Sequence, residues 1–293
     1  MSRFHINFIA SIFIIAILLW LPSGSAADAT EALILDDETE RLDLYESIEM
    51  VKDRDMQLEL SDITTPQFAD QFVSERHINQ RNGFFETATW IRFEIENASN
   101  QSEWLLEFAF PLVYELDIYR GTNSGYEPVF QGGAVVKPFH EREVNHRYFA
   151  VNLDIEPNTS ETFYARAVGG GDLHPPIYIW SHDAFFDRTQ SELTLLGIFY
   201  GIIIVMIVYN LFLYFSLKMR SYFYYVIAML CTLLGKISIN GVGFQYLWSD
   251  YPSWNLISTP FWVSLAVFSS YYLHAPFSMS IDIYRNLIDC HTY

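Results

Sequence analysis

Two imidazoles and two carboxylates lie close together at His140, Glu141, Glu143 and His146. These are zinc-ligand types, but a zinc site needs them to converge on one point. The expectation is a charged loop between strands, with no metal bound. Carboxylates are abundant through the first two thirds of the chain, so no pair stands out as the acid and base of a glycosidase. Gly169-Gly170-Gly171 lacks the lysine and the helix that follow a phosphate loop, and reads as a turn. No nucleophile with an adjacent base is recognisable. The chain is expected to carry no catalytic residues and no cofactor.

Aromatic side chains offer a different chemistry, because the apolar face of a sugar or other ring stacks on them. Trp90, Trp104 and Trp180 are the candidates. Trp104 shares a face with Leu106, Phe108 and Phe110 and is expected in a core. Trp90 alternates with Ile91 and Phe93, which places it on the face of Arg92. A ring beside a guanidinium can combine stacking with directed hydrogen bonds, so Trp90 and Arg92 are the candidate ligand-binding pair. A structural ion pair with an acid is the competing role for Arg92.

The strands that must position these residues show as period-two alternation. Ile91, Phe93 and Ile95 alternate with Arg92, Glu94 and Glu96. Leu116 and Ile118 form another pair, followed by Phe149, Val151, Leu153 and Ile155, then Phe163, Ala165 and Ala167, then Ile177 and Ile179. Turn signals separate them, among them Asn97-Ala-Ser-Asn, Gly121-Thr-Asn-Ser-Gly and Pro157-Asn-Thr. Short half-buried strands with such turns predict an all-β antiparallel sandwich over residues 28–190.

Charge divides the 293-residue chain. Residues 28–188 hold 31 of the 35 Asp and Glu and 12 of the 17 Lys and Arg, whereas the rest is nearly uncharged. That contrast predicts a soluble domain joined to a membrane domain. So acidic a domain lacks the basic footprint of a nucleic-acid binder. Both cysteines, Cys231 and Cys290, fall outside it. An exported domain without a disulfide fits the bacterial envelope, with the helices in the inner membrane.

Export itself is expected from the start of the chain. Arg3, the apolar run Ile6 to Leu21, the helix-breaking Pro22 and the small residues up to Ala27 read as a signal peptide over residues 1–26, with an uncleaved N-terminal anchor as the competing reading. The run Leu193 to Phe215 has 23 uncharged residues, which at 1.5 Å each span about 34 Å. Lys218 and Arg220 follow without an acid, so that connection is cytoplasmic and the preceding domain lies outside. A second span is expected from about Tyr222 to Asn240, then an outer loop with Trp248, Asp250 and Trp254. A third runs from about Asn255 to Leu273. The partial helical domain is thus 193–276 and a short polar tail 277–293. Within the spans, Gly197 and Gly201 share one helix face and would permit close packing or self-association. Asn210 and Lys236 are polar groups at membrane depth, where such groups are functional candidates. Lys236 could equally snorkel to the outer headgroups.

Several motifs in order carry a resemblance. They are Thr89-Trp90-Ile-Arg92-Phe-Glu-Ile-Glu-Asn97, Trp104-Leu-Leu-Glu, Leu116-Asp-Ile-Tyr119-Arg, Phe163-Tyr-Ala-Arg166, Gly197-Ile-Phe-Tyr200-Gly201, Tyr209-Asn210-Leu-Phe-Leu and Tyr222-Phe-Tyr-Tyr225-Val. Over roughly residues 32–255 the chain resembles the bacterial seven-transmembrane receptors with diverse intracellular signalling modules. The resemblance implies a jelly-roll-like ectodomain similar to carbohydrate-binding modules, a seven-helix membrane unit and a cytoplasmic output domain, commonly a histidine kinase or diguanylate cyclase. The chain ends after about three helices, so it is expected to be a front end without its output. The ligand-sensing role implied is non-catalytic, with a small molecule or carbohydrate as partner. A membrane-tethered binding or adhesion module without signalling is the alternative.

Overall fold

The computed structural model describes residues 33–290 except 46, 75–85, 123–124 and 171–174, with side chains described as far as residue 271. The signal-like segment 1–26 lies outside the described residues, as does part of the glycine turn at 171. Two packed sheets come first in the chain, and long helices come after them.

The centre of the first sheet is a pair of twelve-residue strands, β5 (Glu86–Asn97) and β10 (Thr159–Gly170), antiparallel along their full length. Flanking β10 is β7 (Glu115–Thr122), hairpinned to β8 (Gly125–Gly132). The other edge of β5 is shared. Its first half pairs with β3 (Glu49–Asp53), which in turn pairs with the short β4 (Val73–Ser74). Its last three residues pair with β1 (Leu33–Leu35), in the one parallel ladder among the described residues. The second sheet runs β2 (Arg41–Asp43), β11 (Ile177–Trp180), β6 (Glu103–Phe108), β9 (Phe149–Asp154), all antiparallel.

Alternation decides the sandwich. Ile91, Phe93, Ile95, Leu116, Ile118, Phe163 and Ala165 face Trp104, Leu106, Phe108, Phe149, Val151 and Ile179 across one buried core. Phe93 and Phe163 stack within it at 5.5 Å between centroids. An antiparallel sandwich with one solvated face per sheet would leave the alternate residues in water. Here neither outer face is left bare, and each cover has a consequence.

The outer face of the first sheet is covered by residues 54–72, which carry two single-turn helices, α1 (Leu60–Ile63) and α2 (Pro66–Ala69). Ile63 and Phe72 are buried there against Trp90 and Tyr164, with Leu58, Leu60 and Phe68 beside them. The outer face of the second sheet receives Phe185, buried against Leu105, Ala150 and Trp180. Phe185 belongs to α3 (His182–Leu217), which begins one residue after β11, with Ser181 as its N-cap. At 1.5 Å per residue α3 is about 54 Å long, longer than the hydrocarbon core, so its first turns sit with the sandwich.

Only Lys218, in left-handed conformation at φ 54°, and Met219 separate α3 from α4 (Arg220–Ile239). Both helices are long and apolar enough to cross a membrane. Beyond α4 come a short helix α5 (Val242–Tyr246) and the long α6 (Pro252–Cys290). The expected third span and the expected polar tail up to residue 290 are thus one continuous helix. Residues 241–251 touch the sandwich. The Phe139 amide donates to the Ser249 carbonyl at 2.8 Å, Phe139 meets Phe244 edge-on, and His140 lies 3.0 Å from Asp250. α4 therefore returns to the side of the ectodomain, as the charge of the preceding turn requires.

Candidate functional site

Side chains on the outer face of the first sheet fall into two adjacent cross-strand rows. One row is Val51, Trp90, Arg166, Asp117 and Gln131. The next is Glu49, Arg92, Tyr164, Tyr119 and Pro128. Aromatic and charged residues side by side, on strands fixed by full ladders, make a preorganised surface.

The cover is clamped over these rows at two points. Asp53, buried at the end of β3, accepts hydrogen bonds from the Gln57 amide at 3.1 Å and the Leu58 amide at 2.8 Å. Those bonds hold a tight turn in which Met56 takes φ 53°. The second clamp is Arg92. It donates to Glu49 at 2.8 and 2.5 Å, and its guanidinium lies 4.5 Å from the centre of the Phe72 ring. Such a cation–π contact adds to the ion pair. Arg92 thus pairs with Glu49 under the cover and is not among the residues that line the neighbouring cleft.

Between the clamped turn and the sheet is a cleft of about 580 Å³, lined by Trp90, Tyr119, Arg166 and the segment Met56–Leu60. Trp90 and Tyr119 are tilted 30° apart with centroids 6.3 Å apart. Trp90 does lie opposite Ile91 and Phe93, yet its ring is 1% exposed because the cover lies over it. Its Nε1 is buried without a hydrogen-bond partner. A buried indole N–H ordinarily finds an acceptor; the Trp104 and Trp262 indoles also lack one, but only that of Trp90 borders this cleft. Arg166 meets Glu115 at 3.2 Å and sits opposite Asp117 in the ladder. Burial raises the Asp117 carboxyl above the usual carboxylate range, with Arg166 drawing it back and Glu115 adding to the rise. Burial also raises the Tyr119 hydroxyl, with Asp117 contributing. The arrangement offers an aromatic wall, the Arg166 guanidinium and the Glu59 carboxyl at the cleft, with Asp117 behind Arg166 in the ladder. Such a set recognises hydroxyls and rings; it contains no nucleophile beside a base.

The remaining sequence candidates are dispersed. Trp104 is fully buried in the main core, and Trp180 donates through Nε1 to Glu107 on the neighbouring strand at 2.9 Å. His140 and His146 do not converge, and no metal-ligand cluster occurs among the described residues. His146, expected in a charged loop, is instead buried against Phe185 and Tyr148. A Cβ placed on Gly197 or Gly201 would meet no neighbour within 4 Å. The close helix approach is made at Gly235, against Trp262 and Val263. Asn210 donates to the Met206 carbonyl of its own helix, and Lys236 is exposed near the outer end of α4. Tyr119, Asp117, Tyr164 and Arg166 were not singled out in sequence, although each alternates with a core position in the motifs Leu116–Arg120 and Phe163–Arg166. That alternation was the available signal.

Two family models match the chain. Residues 45–181 match 7TMR-DISM extracellular 2, and residues 192–286 match 7TM diverse intracellular signalling. Among curated proteins none matches. The first match covers the sandwich from β3 to β11 with its cover and cleft, and the second begins within α3. The chain therefore belongs to the seven-transmembrane receptors with diverse intracellular signalling, as an extracellular sensory domain followed by its membrane domain.

Proposed function

We propose that the sandwich senses a small molecule or carbohydrate by non-catalytic binding in the Trp90–Tyr119–Arg166 cleft, as the front end of a receptor in a bacterial inner membrane. The observation that carries this reading is the Trp90 Nε1 donor, buried at the cleft wall with no partner. A ligand acceptor that displaced the cover turn would reach and satisfy it, and a buried donor without a partner costs roughly 1–3 kcal/mol. The Tyr119 ring supplies an apolar face, while Arg166 and Glu59 in the lining suit a pattern of hydroxyls. The Met56–Leu60 turn forms the cover side of the cleft, so occupancy would be felt in the cover as well as in the sheet.

The test is a thermal-shift screen of monosaccharides, disaccharides and small metabolites on the full chain in detergent, followed by calorimetry of the hits. Trp90→Phe keeps an aromatic ring while removing the donor and part of the indole surface, and should weaken a hit by at least roughly five- to tenfold, the worth of about 1 kcal/mol. Arg166→Ala should weaken it further. Wild-type affinity in both variants would move the site elsewhere, and chemical conversion of the ligand would end the non-catalytic reading.

A further inference from the structure

The outer face of the second sheet contains a charge where the alternation of β6 calls for solvent. Glu107 is fully buried. Its carboxylate accepts from Trp180 Nε1 at 2.9 Å and from Arg188 at 2.7 Å. Arg188 stands on the first turns of α3, its guanidinium 4.7 Å from the centre of the Trp180 ring. It also meets Glu192 one turn on, at 2.9 Å. Glu192 pairs in turn with Arg147 of the sandwich, and Arg147 donates to the Asn240 carbonyl at the end of α4. Asn240 then donates to the Tyr200 hydroxyl of α3 at 2.9 Å. Alternating charges thus run from the sheet to the outer ends of both membrane helices.

Positions 184, 188 and 192 lie on one face of α3, one turn apart. They are Ala184, Arg188 and Glu192. Sliding the helix one turn toward the sandwich would set Glu192 against Glu107, like charge on like charge. Sliding it one turn away would set Ala184 there and strand a buried carboxylate. A buried ion pair is a poor source of stability, but loss of one partner is strongly unfavourable, which suits it to specifying one arrangement. Burial already pushes the Glu107 carboxyl up, with Arg188 and Trp180 opposing the rise.

We infer that the Glu107–Arg188 pair is a register key, fixing the axial and rotational setting of the first membrane helix against the sensory sandwich. Movement of the second sheet then reaches the membrane as displacement of a continuous helix, since Ser181 alone separates β11 from α3. The inference is independent of what the cleft binds.

The test uses the full chain in nanodiscs, with Cys231→Ala and Cys290→Ser, and spin labels on exposed Glu103→Cys and Gln190→Cys. Pulsed electron–electron resonance should give one narrow distance. Arg188→Gln should broaden it, while Asp187→Asn, an exposed neighbour, should leave it unchanged. Should Arg188→Gln fail to assemble, the neutral pair Glu107→Gln with Arg188→Gln removes the stranded charge, and should assemble with a broad distribution. Moving the key one turn, as Ala184→Arg with Arg188→Ala, should keep the distribution narrow and displace its mean, by up to about 5.4 Å where the first turn of α3 unwinds to supply the slack that Ser181 alone does not. A narrow distribution at the native distance, in the neutral pair or in the relocated variant, would overturn the inference.

Discussion

His146 provides a pH dependence that can be worked from the structure. The ring is 2% exposed, edge-on to Phe185 at 4.9 Å. Nδ1 accepts from the Tyr148 amide at 3.3 Å, which leaves the proton on Nε2, where no partner is found. The Glu107 carboxylate is 3.9 Å from Nδ1, but that nitrogen carries a lone pair and does not donate to it. Burial, with Arg147, Arg188 and Arg142 nearby, brings the imidazole down from 6.5 to about 3. The folded ring stays neutral while the unfolded ring protonates, so stability is lost as pH falls through the window from 6.5 toward 3. At pH 5 the loss is about 2 kcal/mol, and it is nearly the same for any folded value well below 5. That corresponds to a fall in Tm of roughly 4–8 °C for a domain of this size. Glu107 runs the other way, because a raised carboxyl holds its proton more readily when folded. The difference between wild type and His146→Phe isolates the imidazole. Melts of the full chain in detergent, followed by tryptophan fluorescence at pH 7.5 and 5.0, should show His146→Phe losing about 2 kcal/mol less than wild type. Equal losses in the two proteins would refute the buried neutral imidazole.

Trp104 fills the main core, so Trp104→Ala should lower stability by about 3–5 kcal/mol in denaturant melts. Asp53→Ala removes both bonds that hold the cover turn, and should cost roughly 1–3 kcal/mol. Hydrogen exchange at residues 57 and 58 should rise in the same variant. For topology, alkaline phosphatase fused after residue 188 should be active and fused after residue 220 inactive, with activity at both junctions contradicting the orientation.

The sandwich core was legible because Ile91, Phe93 and Ile95, like Phe163, Ala165 and Ala167, obey one period over strands long enough to show it. The same alternation placed Trp90 and Arg92 correctly on the opposite face of β5. It could not show that the face is covered, since α1 and α2 are four residues each and too short to display a helical period. The strands before them, three to five residues long, were missed for the same reason. Glu107 reads as a solvent-facing residue between Leu106 and Phe108. Its burial is set by a helix 81 positions away, a distance no local pattern spans. His146 reads as one of several charged loop residues, and packing against Phe185 of α3 and Tyr148 buries it. The membrane helices were legible from hydropathy, but α3 starts eleven residues before its apolar run, because its first turns answer to the sandwich.

Sensing in the cleft is most directly tested by hydrogen–deuterium exchange of the full chain in nanodiscs, with and without the tightest hit of the metabolite and sugar screen. Ligand in the cleft should slow exchange across residues 56–60, the turn that closes over Trp90 and Tyr119, and leave β8 unchanged. Unchanged exchange at 56–60 together with protection confined to another surface would contradict it.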